Sequence, residues 1–117
     1  MNATPVLAGV LVIAFGVLGS AKLAAVPAMR SRAEHVGHSV GTYRRIGLLE
    51  ILAALGILVG AAVPVIGVLA ATGLVLLLGG AVAAHVRTGD GLRDLAPALV
   101  LGVIAVVFVV LVVGDLR

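Results

Sequence analysis

Four long apolar stretches divide the chain and constrain its fold more than any other feature. They cover residues 5–26, 43–59, 64–85 and 95–114. Each has about the 20 residues that an α-helix needs to cross a bilayer core of about 30 Å. Hydrophobic residues make up 62% of the chain and charged residues 11%, whereas soluble domains are roughly 45–50% apolar. The sequence therefore predicts an all-α membrane protein with four transmembrane helices.

The connections predict how these four spans are arranged. Residues 60–63 form so short a turn that the second and third spans must lie side by side and antiparallel. The first connection, residues 28–42, is too polar to cross the membrane. Its apolar residues Met29, Ala33 and Val36 fall at helical spacing. We therefore expect one domain over residues 1–117, an antiparallel bundle with a short amphipathic interfacial segment between helices 1 and 2.

Capping residues and prolines give expectations for the helix ends. Thr4 is placed to cap the first helix, with Pro5 in its first turn. Pro27 is expected to end that helix, because a proline cannot continue it. Asp94 is expected to cap the last helix, with Pro97 in the first turn, where proline is tolerated.

Arginines are distributed unevenly between the two sides of the predicted bundle. The first and third connections lie on one side and carry Arg30, Arg32, Arg44, Arg45, Arg87 and Arg93. The other side has Arg117. Because short cytoplasmic connections are enriched in Lys and Arg, we expect a multi-pass membrane protein with both termini outside the cytoplasm.

The candidate intramembrane ligand-binding residues are three ionisable residues, each preceded by a run of apolar residues: Lys22, Glu50 and His85. Such residues are costly in a bilayer and need a partner or a function. Side chains tilt toward the N-terminus of their own helix, so Lys22 and Glu50, on antiparallel helices at depths about 7 Å apart, lean toward each other. We predict that they form an ion pair. His85 is expected at the cytoplasmic interface, too far away to contact Glu50.

Several interpretations of these residues stay open. The Lys22–Glu50 pair is either a structural link between two helices or a ligand-binding or proton-handling pair in a cavity. Lys22 could instead extend to the lipid headgroups. For His85 we favour an interaction with the last carbonyls of its helix over a binding role.

Composition excludes several other functions. The chain has no cysteine, which excludes disulfides, thiol catalysis and Cys-ligated metal clusters. Its net charge of +3 is interpreted as a topology signal, so we expect no nucleic-acid binding. His35 and His38 lie near Glu34 on a surface segment, where a solvated polar face is favoured over a metal site. We identify no catalytic residues and no metal ligands.

Small residues indicate where the helices pack closely. The predicted helix-packing positions are Gly19, Gly47, Gly56, Gly60 and Gly80. Gly56 and Gly60 form a Gly-x-x-x-Gly motif, which is typical of close helix contacts and fits either packing within the chain or a homodimer. Arg44 and Arg45 are expected to bind anionic lipid headgroups.

Three motifs, one associated with each of the first three spans, together resemble a known family. They are Phe15-x-x-x-Gly19-x-x-Lys22-Leu23, Tyr43-Arg44-x-x-Gly47-x-x-Glu50, and Gly80-Ala81-x-x-x-His85 followed by Arg87 and Gly89-Asp90. In this order they resemble the DoxX-like family of small bacterial membrane proteins, and the resemblance covers nearly the whole chain. It implies a four-helix membrane bundle located in the bacterial inner membrane. It also implies a link to redox systems, because the family takes its name from a subunit associated with a quinone-reducing or terminal oxidase system.

Two functions therefore remain as hypotheses. The favoured one is a membrane subunit without catalysis of its own, which anchors or organises a redox or envelope complex and contacts membrane lipids and other membrane proteins. The alternative is a binder, carrier or enzyme for a small hydrophobic molecule, a quinone or a lipid, whose polar head meets Lys22, Glu50 and His85. A tunnel at the level of Glu50 would favour the alternative.

Overall fold

The computed structural model describes residues 3–116 and shows five α-helices there, with no strand in that range. The helices are α1 (Ala3–Leu23), α2 (Pro27–His35), α3 (Val40–Val59), α4 (Pro64–Thr88) and α5 (Leu92–Asp115). The predicted all-α class is thus confirmed for the described part of the chain. Arg117, which was counted in the comparison of arginines on the two sides of the bundle, lies outside the described residues.

Three of these helices, α1, α4 and α5, are long and apolar enough to cross a membrane. The predicted second span, α3, does not meet that criterion within residues 3–116, because it carries Arg44, Arg45 and Glu50 in 20 residues.

The long helices pack as an antiparallel bundle in which α1 and α4 each contact both α3 and α5. The helix directions follow from close approaches along α3: Gly47 meets Gly19 of α1, and near the other end Gly60 meets Gly67 of α4. Large side chains from the four helices fill the centre between smaller alanines. The most fully buried of them are Leu11, Phe15, Ile57, Leu74 and Phe108.

The short helix α2 confirms the prediction of a short helix between the first two spans. Its apolar residues Met29 and Ala33 are buried, and the helix contacts α3 and α1. It ends in a Schellman turn, in which the His38 amide donates to the Ala33 carbonyl and Gly37 adopts a φ of +79°. The other helical residues of α2 are exposed, as expected of a helix lying on a membrane surface.

The structure corrects the predicted ends of the first helix. The first helix ends at Leu23, before Pro27, because the chain reverses at Ala25 with a φ of +53°. Pro27 instead begins α2, where its missing N–H costs nothing. Thr4 lies inside α1 and does not cap it.

The start of α5 differs in the same way. Gly91 is the residue before α5, so Asp94 lies in the first turn, where its charge favours the helix dipole, and is not the cap. Pro97 consequently falls one turn further into the helix than expected.

Candidate functional site

The crossing of α1 and α3 is made possible by two glycines that face each other. A Cβ added at Gly47 would lie 2.6 Å from the Gly19 carbonyl oxygen, and one at Gly19 would lie 2.7 Å from the Gly47 carbonyl oxygen. Both separations are shorter than any real contact, so only glycine permits this approach of the two backbones. Both predicted packing positions therefore lie at a close helix contact.

Each of these glycines is followed three residues later by a charged residue, and the two charges meet. Lys22 Nζ donates a hydrogen bond to Glu50 Oε1 over 2.8 Å. The Glu50 side chain is 4% exposed and the Lys22 side chain 14%. Lys22 Nζ also lies 5.2 Å from the centre of the Tyr43 ring, close enough for a cation–π contact. The predicted ion pair is confirmed.

Arginines close the adjacent end of α1. Arg44 Nε donates to the Leu23 carbonyl over 3.0 Å, and Arg30 Nε donates to the Ala25 carbonyl over 2.9 Å. Positive charge near carbonyls that lack helical partners stabilises a helix C-terminus. Arg44 was expected at the lipid headgroups, but its Nε is engaged within the protein.

His85 takes part in a separate polar cluster, which also contains Asp90 and His35. His85 Nδ1 lies 2.6 Å from Asp90 Oδ2, and His35 Nε2 lies 2.9 Å from Asp90 Oδ1. A carboxylate can only accept, so both ring nitrogens must carry the proton when Asp90 is ionised. We call these three residues the His–Asp–His cluster. These hydrogen bonds, first from His85 and then from His35, lower the pKa of the Asp90 carboxyl below its ordinary value.

A backbone turn explains how Asp90 reaches His85. At the end of α4 the Asp90 amide donates to the His85 carbonyl and the Gly89 amide donates to the Val86 carbonyl. Gly89 has a φ of +83°, which glycine adopts without strain. This Schellman turn brings Asp90 back over the last turn of α4. We predicted that the His85 side chain interacts with the last carbonyls of its helix. That prediction is wrong, because His85 contacts the Asp90 carboxylate.

The three candidate ligand-binding residues are thus not brought together. Lys22 and Glu50 contact each other, whereas His85 is held by Asp90. Sequence reasoning did not identify Asp90 as a partner of either histidine, although the Gly89-Asp90 pair directly after a helix is a signal for a Schellman turn. In residues 3–116 no three His, Asp or Glu side chains are arranged to hold a metal ion.

The remaining glycines of the packing prediction behave differently from one another. A Cβ at Gly56 would lie 2.7 Å from the Ala70 Cβ, and one at Gly60 would lie 2.6 Å from the Gly67 Cα. The Gly-x-x-x-Gly motif is therefore used within the chain, between α3 and α4. A Cβ at Gly80 would meet no heavy atom within 4 Å, so the predicted close contact at Gly80 is not formed.

Neither of two cavities on the described part of the bundle is lined by Lys22, Glu50 or His85. The first, which we call the terminal cavity, has a volume of about 390 Å³ and lies at the end of the bundle opposite the ion pair. Residues from α1, α3, α4 and α5 line it, among them Thr4, Ala8, Gly60, Phe108 and Asp115. The second is an apolar groove of about 340 Å³ between α4 and α5.

Comparison with known proteins identifies one family. The model of a family described as DoxX-like matches residues 6–108. This range includes the ion pair and the His–Asp–His cluster. No curated protein and no solved structure matches the sequence significantly.

Proposed function

The chain belongs to the DoxX-like family, and we propose that it is a membrane subunit without catalysis of its own, which anchors or organises a redox or envelope complex. The observation that carries this proposal is the state of the buried charges. Glu50 is the buried charged residue of the described chain, and it is already paired with Lys22. Because the two charges are partners of each other at the crossing of α1 and α3, a structural link between these helices accounts for both.

We further propose that α3 is the fourth membrane span. Its 20 residues extend about 30 Å, the thickness of the hydrocarbon core. Arg44 and Arg45 lie in its first turns, where the headgroups would surround them, and Lys22 neutralises Glu50. The charges of α3 are thus compatible with crossing.

The proposed orientation places the end that contains α2 in the cytoplasm. The contact between His35 and Asp90 joins the first and third connections at one end of the bundle. All six arginines of residues 28–93 belong to this end, and the positive-inside rule therefore favours cytoplasmic placement. Both termini then face outward from the inner membrane.

Orientation can be tested with a membrane-impermeant thiol reagent on intact cells, because the chain has no native cysteine. Ser31→Cys and Leu92→Cys place exposed thiols at the proposed cytoplasmic end, and Ala62→Cys places one in the opposite turn. We expect labelling of the Ala62 variant alone until the cells are lysed. Labelling of the Ser31 and Leu92 variants before lysis, with protection of the Ala62 variant, would reverse the orientation.

Exposed apolar side chains supply the surface for a partner or for lipid. On α3 they form a stripe in which Leu48, Leu52 and Leu55 are each about half exposed. Because the Gly-x-x-x-Gly motif already contacts α4, a homodimer would have to use another surface, and the leucine stripe is the one we propose. Other membrane proteins and lipids would compete for the same face.

The competing hypothesis is a quinone or lipid site at Lys22, Glu50 and His85. One experiment distinguishes it from the proposed role as a membrane subunit. We expect the same membrane proteins to co-purify in native lipids with the wild type and with the Lys22→Met/Glu50→Gln double variant, because the anchor role needs only a folded bundle. A double variant that folds and loses its bound molecules or its partners would instead assign the charges to function. Leu52→Ala/Leu55→Ala is the matched surface variant, and it should reduce co-purification.

A further inference from the structure

Two arginines from different helices meet at the chain reversal between α1 and α2, which we call the α1–α2 elbow (residues 23–26). Arg30 of α2 donates from Nε to the Ala25 carbonyl over 2.9 Å, and Arg44 of α3 donates from Nε to the Leu23 carbonyl over 3.0 Å. Residues two apart in a chain have Cα atoms within about 7 Å of each other. Both guanidinium groups are therefore fixed at one small region of the surface.

The way in which each arginine is held leaves part of its guanidinium group open. A guanidinium has five N–H donors in a planar fork, one on Nε and two on each Nη. In Arg30 and Arg44 the Nε donor is used on a backbone carbonyl, and the Nη atoms form no hydrogen bond within residues 3–116. Both residues are exposed. Because an arginine fork can bind two oxygens of a phosphate at once, the elbow presents two groups suited to a phosphate.

The charge of these arginines is not neutralised within the described chain. The ion pairs of residues 3–116 use Lys22, His35 and His85 as the basic partners, so no arginine there is paired with a carboxylate. The carbonyls at the C-terminal end of α1 would by themselves repel an anion. Arg30 and Arg44 cover two of these carbonyls with positive charge. Charge complementarity therefore favours an anionic partner at the elbow.

The position of the elbow decides which anion fits. It follows α1, which is long and apolar enough to cross a membrane, and it precedes the polar helix α2. The end of a membrane span lies at the level of the lipid headgroups. A zwitterionic headgroup would bring a further cation to an arginine-rich region, whereas an anionic lipid is attracted to it. We propose that Arg30 and Arg44 together bind the phosphate of an anionic phospholipid at the α1–α2 elbow, a site that needs membrane insertion but not the role as a subunit.

The first test titrates the full chain in neutral detergent micelles with short-chain phosphatidylglycerol and follows the arginine Nε–H signals by NMR. The controls are phosphatidylcholine of the same chain length and inorganic phosphate. We expect saturable shifts of the Arg30 and Arg44 signals with phosphatidylglycerol alone. Arg87 and Arg93 are exposed on α4 and α5, and their signals should not show saturation.

Two outcomes of this titration would overturn the proposal. Equal shifts with phosphatidylcholine would show that the elbow does not select anionic lipids. Saturation by inorganic phosphate at the same concentrations would assign the elbow to soluble phosphate compounds and not to a lipid.

Single substitutions separate a site from the general attraction of a basic surface. Removing one surface arginine weakens the binding of an anionic lipid by about 5-fold, whereas removing a charge-assisted contact should weaken it by more than about 10-fold. We expect the larger loss for Arg30→Gln and Arg44→Gln, and the smaller loss for the matched variants Arg87→Gln and Arg93→Gln. Equal losses at all four positions would refute the site.

A second comparison keeps the positive charge, because Arg30 and Arg44 also hold the elbow. The double variant Arg30→Lys/Arg44→Lys retains two cations that can donate to the carbonyls, but it lacks the planar fork. We expect it to fold, as judged by circular dichroism, and to bind phosphatidylglycerol more than about 10-fold more weakly than the wild type. Arg87→Lys/Arg93→Lys is the matched control and should bind like the wild type. Wild-type affinity of Arg30→Lys/Arg44→Lys would mean that charge alone attracts the lipid, and would overturn the proposal.

Discussion

The Lys22–Glu50 ion pair gives a sharp prediction about stability. Lys22→Met leaves Glu50, with a 4% exposed side chain, as an unpaired charge inside the bundle, and a loss of about 3–5 kcal/mol in the free energy of unfolding follows. Glu50→Gln should cost less. Lys22 is 14% exposed, and its long side chain can turn toward the headgroups, with the Tyr43 ring beside it.

The double variant separates pairing from two independent effects. With both charges removed, the remaining cost is that of one buried amide without its partner, about 1–3 kcal/mol. If the two substitutions acted independently, the double variant would lose the sum of the two single losses in the free energy of unfolding, which is more than the loss for Lys22→Met alone. We therefore expect a double variant no less stable than Lys22→Met, and a coupling energy well above the roughly 0.3–0.5 kcal/mol scatter of independent sites.

The measurement is reversible unfolding in mixed detergent micelles, followed by circular dichroism. The matched control uses Arg45→Met in place of Lys22→Met. Arg45 is an exposed charged residue on the same helix as Glu50. Combined with Glu50→Gln it should show no coupling, because surface charges contribute little. Additive losses for Lys22→Met and Glu50→Gln would refute the pairing as an energetic unit, whatever the distance between the two groups.

Two further predictions concern the helix crossing and the His–Asp–His cluster. Gly47→Ala should destabilise the bundle by about 1–3 kcal/mol, because its Cβ meets backbone of α1 at 2.6–2.8 Å; Gly16→Ala, whose Cβ meets nothing within 4 Å, should be neutral or stabilising in the same melting experiment. Asp90→Asn should speed amide hydrogen exchange in α2. Because the folded-state pKa of Asp90 is lowered from 3.8, its contribution is complete above that pH and is lost as the pH falls below it. Protection factors in α2, which correct for the slower intrinsic exchange at low pH, should therefore fall below that pH in the wild type, and constant protection factors would contradict this role.

The ion pair was predictable because each part of the inference is local to a helix. Side-chain tilt follows from helix geometry, and relative depth follows from counting residues to the helix ends. Lys22 and Glu50 lie on helices whose directions are fixed by an even simpler rule, the alternation of spans and connections. Gly19 and Gly47 lie three residues before these charges, so the same periodicity brings them onto the same contact.

The His–Asp–His cluster could not be predicted in this way. His35 and Asp90 are 55 positions apart in the sequence, and they lie on two connections whose paths depend on how α2 packs against the bundle. The helix-end errors have a similar origin. Ala25 adopts a left-handed conformation that the sequence does not signal, because glycine is the usual residue there. Tertiary contacts, such as the Arg44 side chain on the Leu23 carbonyl, hold that turn.

The two ends of the bundle differ in how their polar groups are satisfied, and this difference bears on function. At the arginine-rich end, Lys22 is paired with Glu50, and Asp90 accepts from two histidines. At the other end, Thr4 has a buried hydroxyl without a partner among the described residues and shares a cavity with Asp115. Both of these lie outside residues 6–108, the range that matches the family. Lys22, Glu50, His85 and Asp90, which belong to the family motifs, are therefore paired within the chain at the arginine-rich end. Most of the residues that line the terminal cavity also lie inside the matched range, so the match does not separate the two ends.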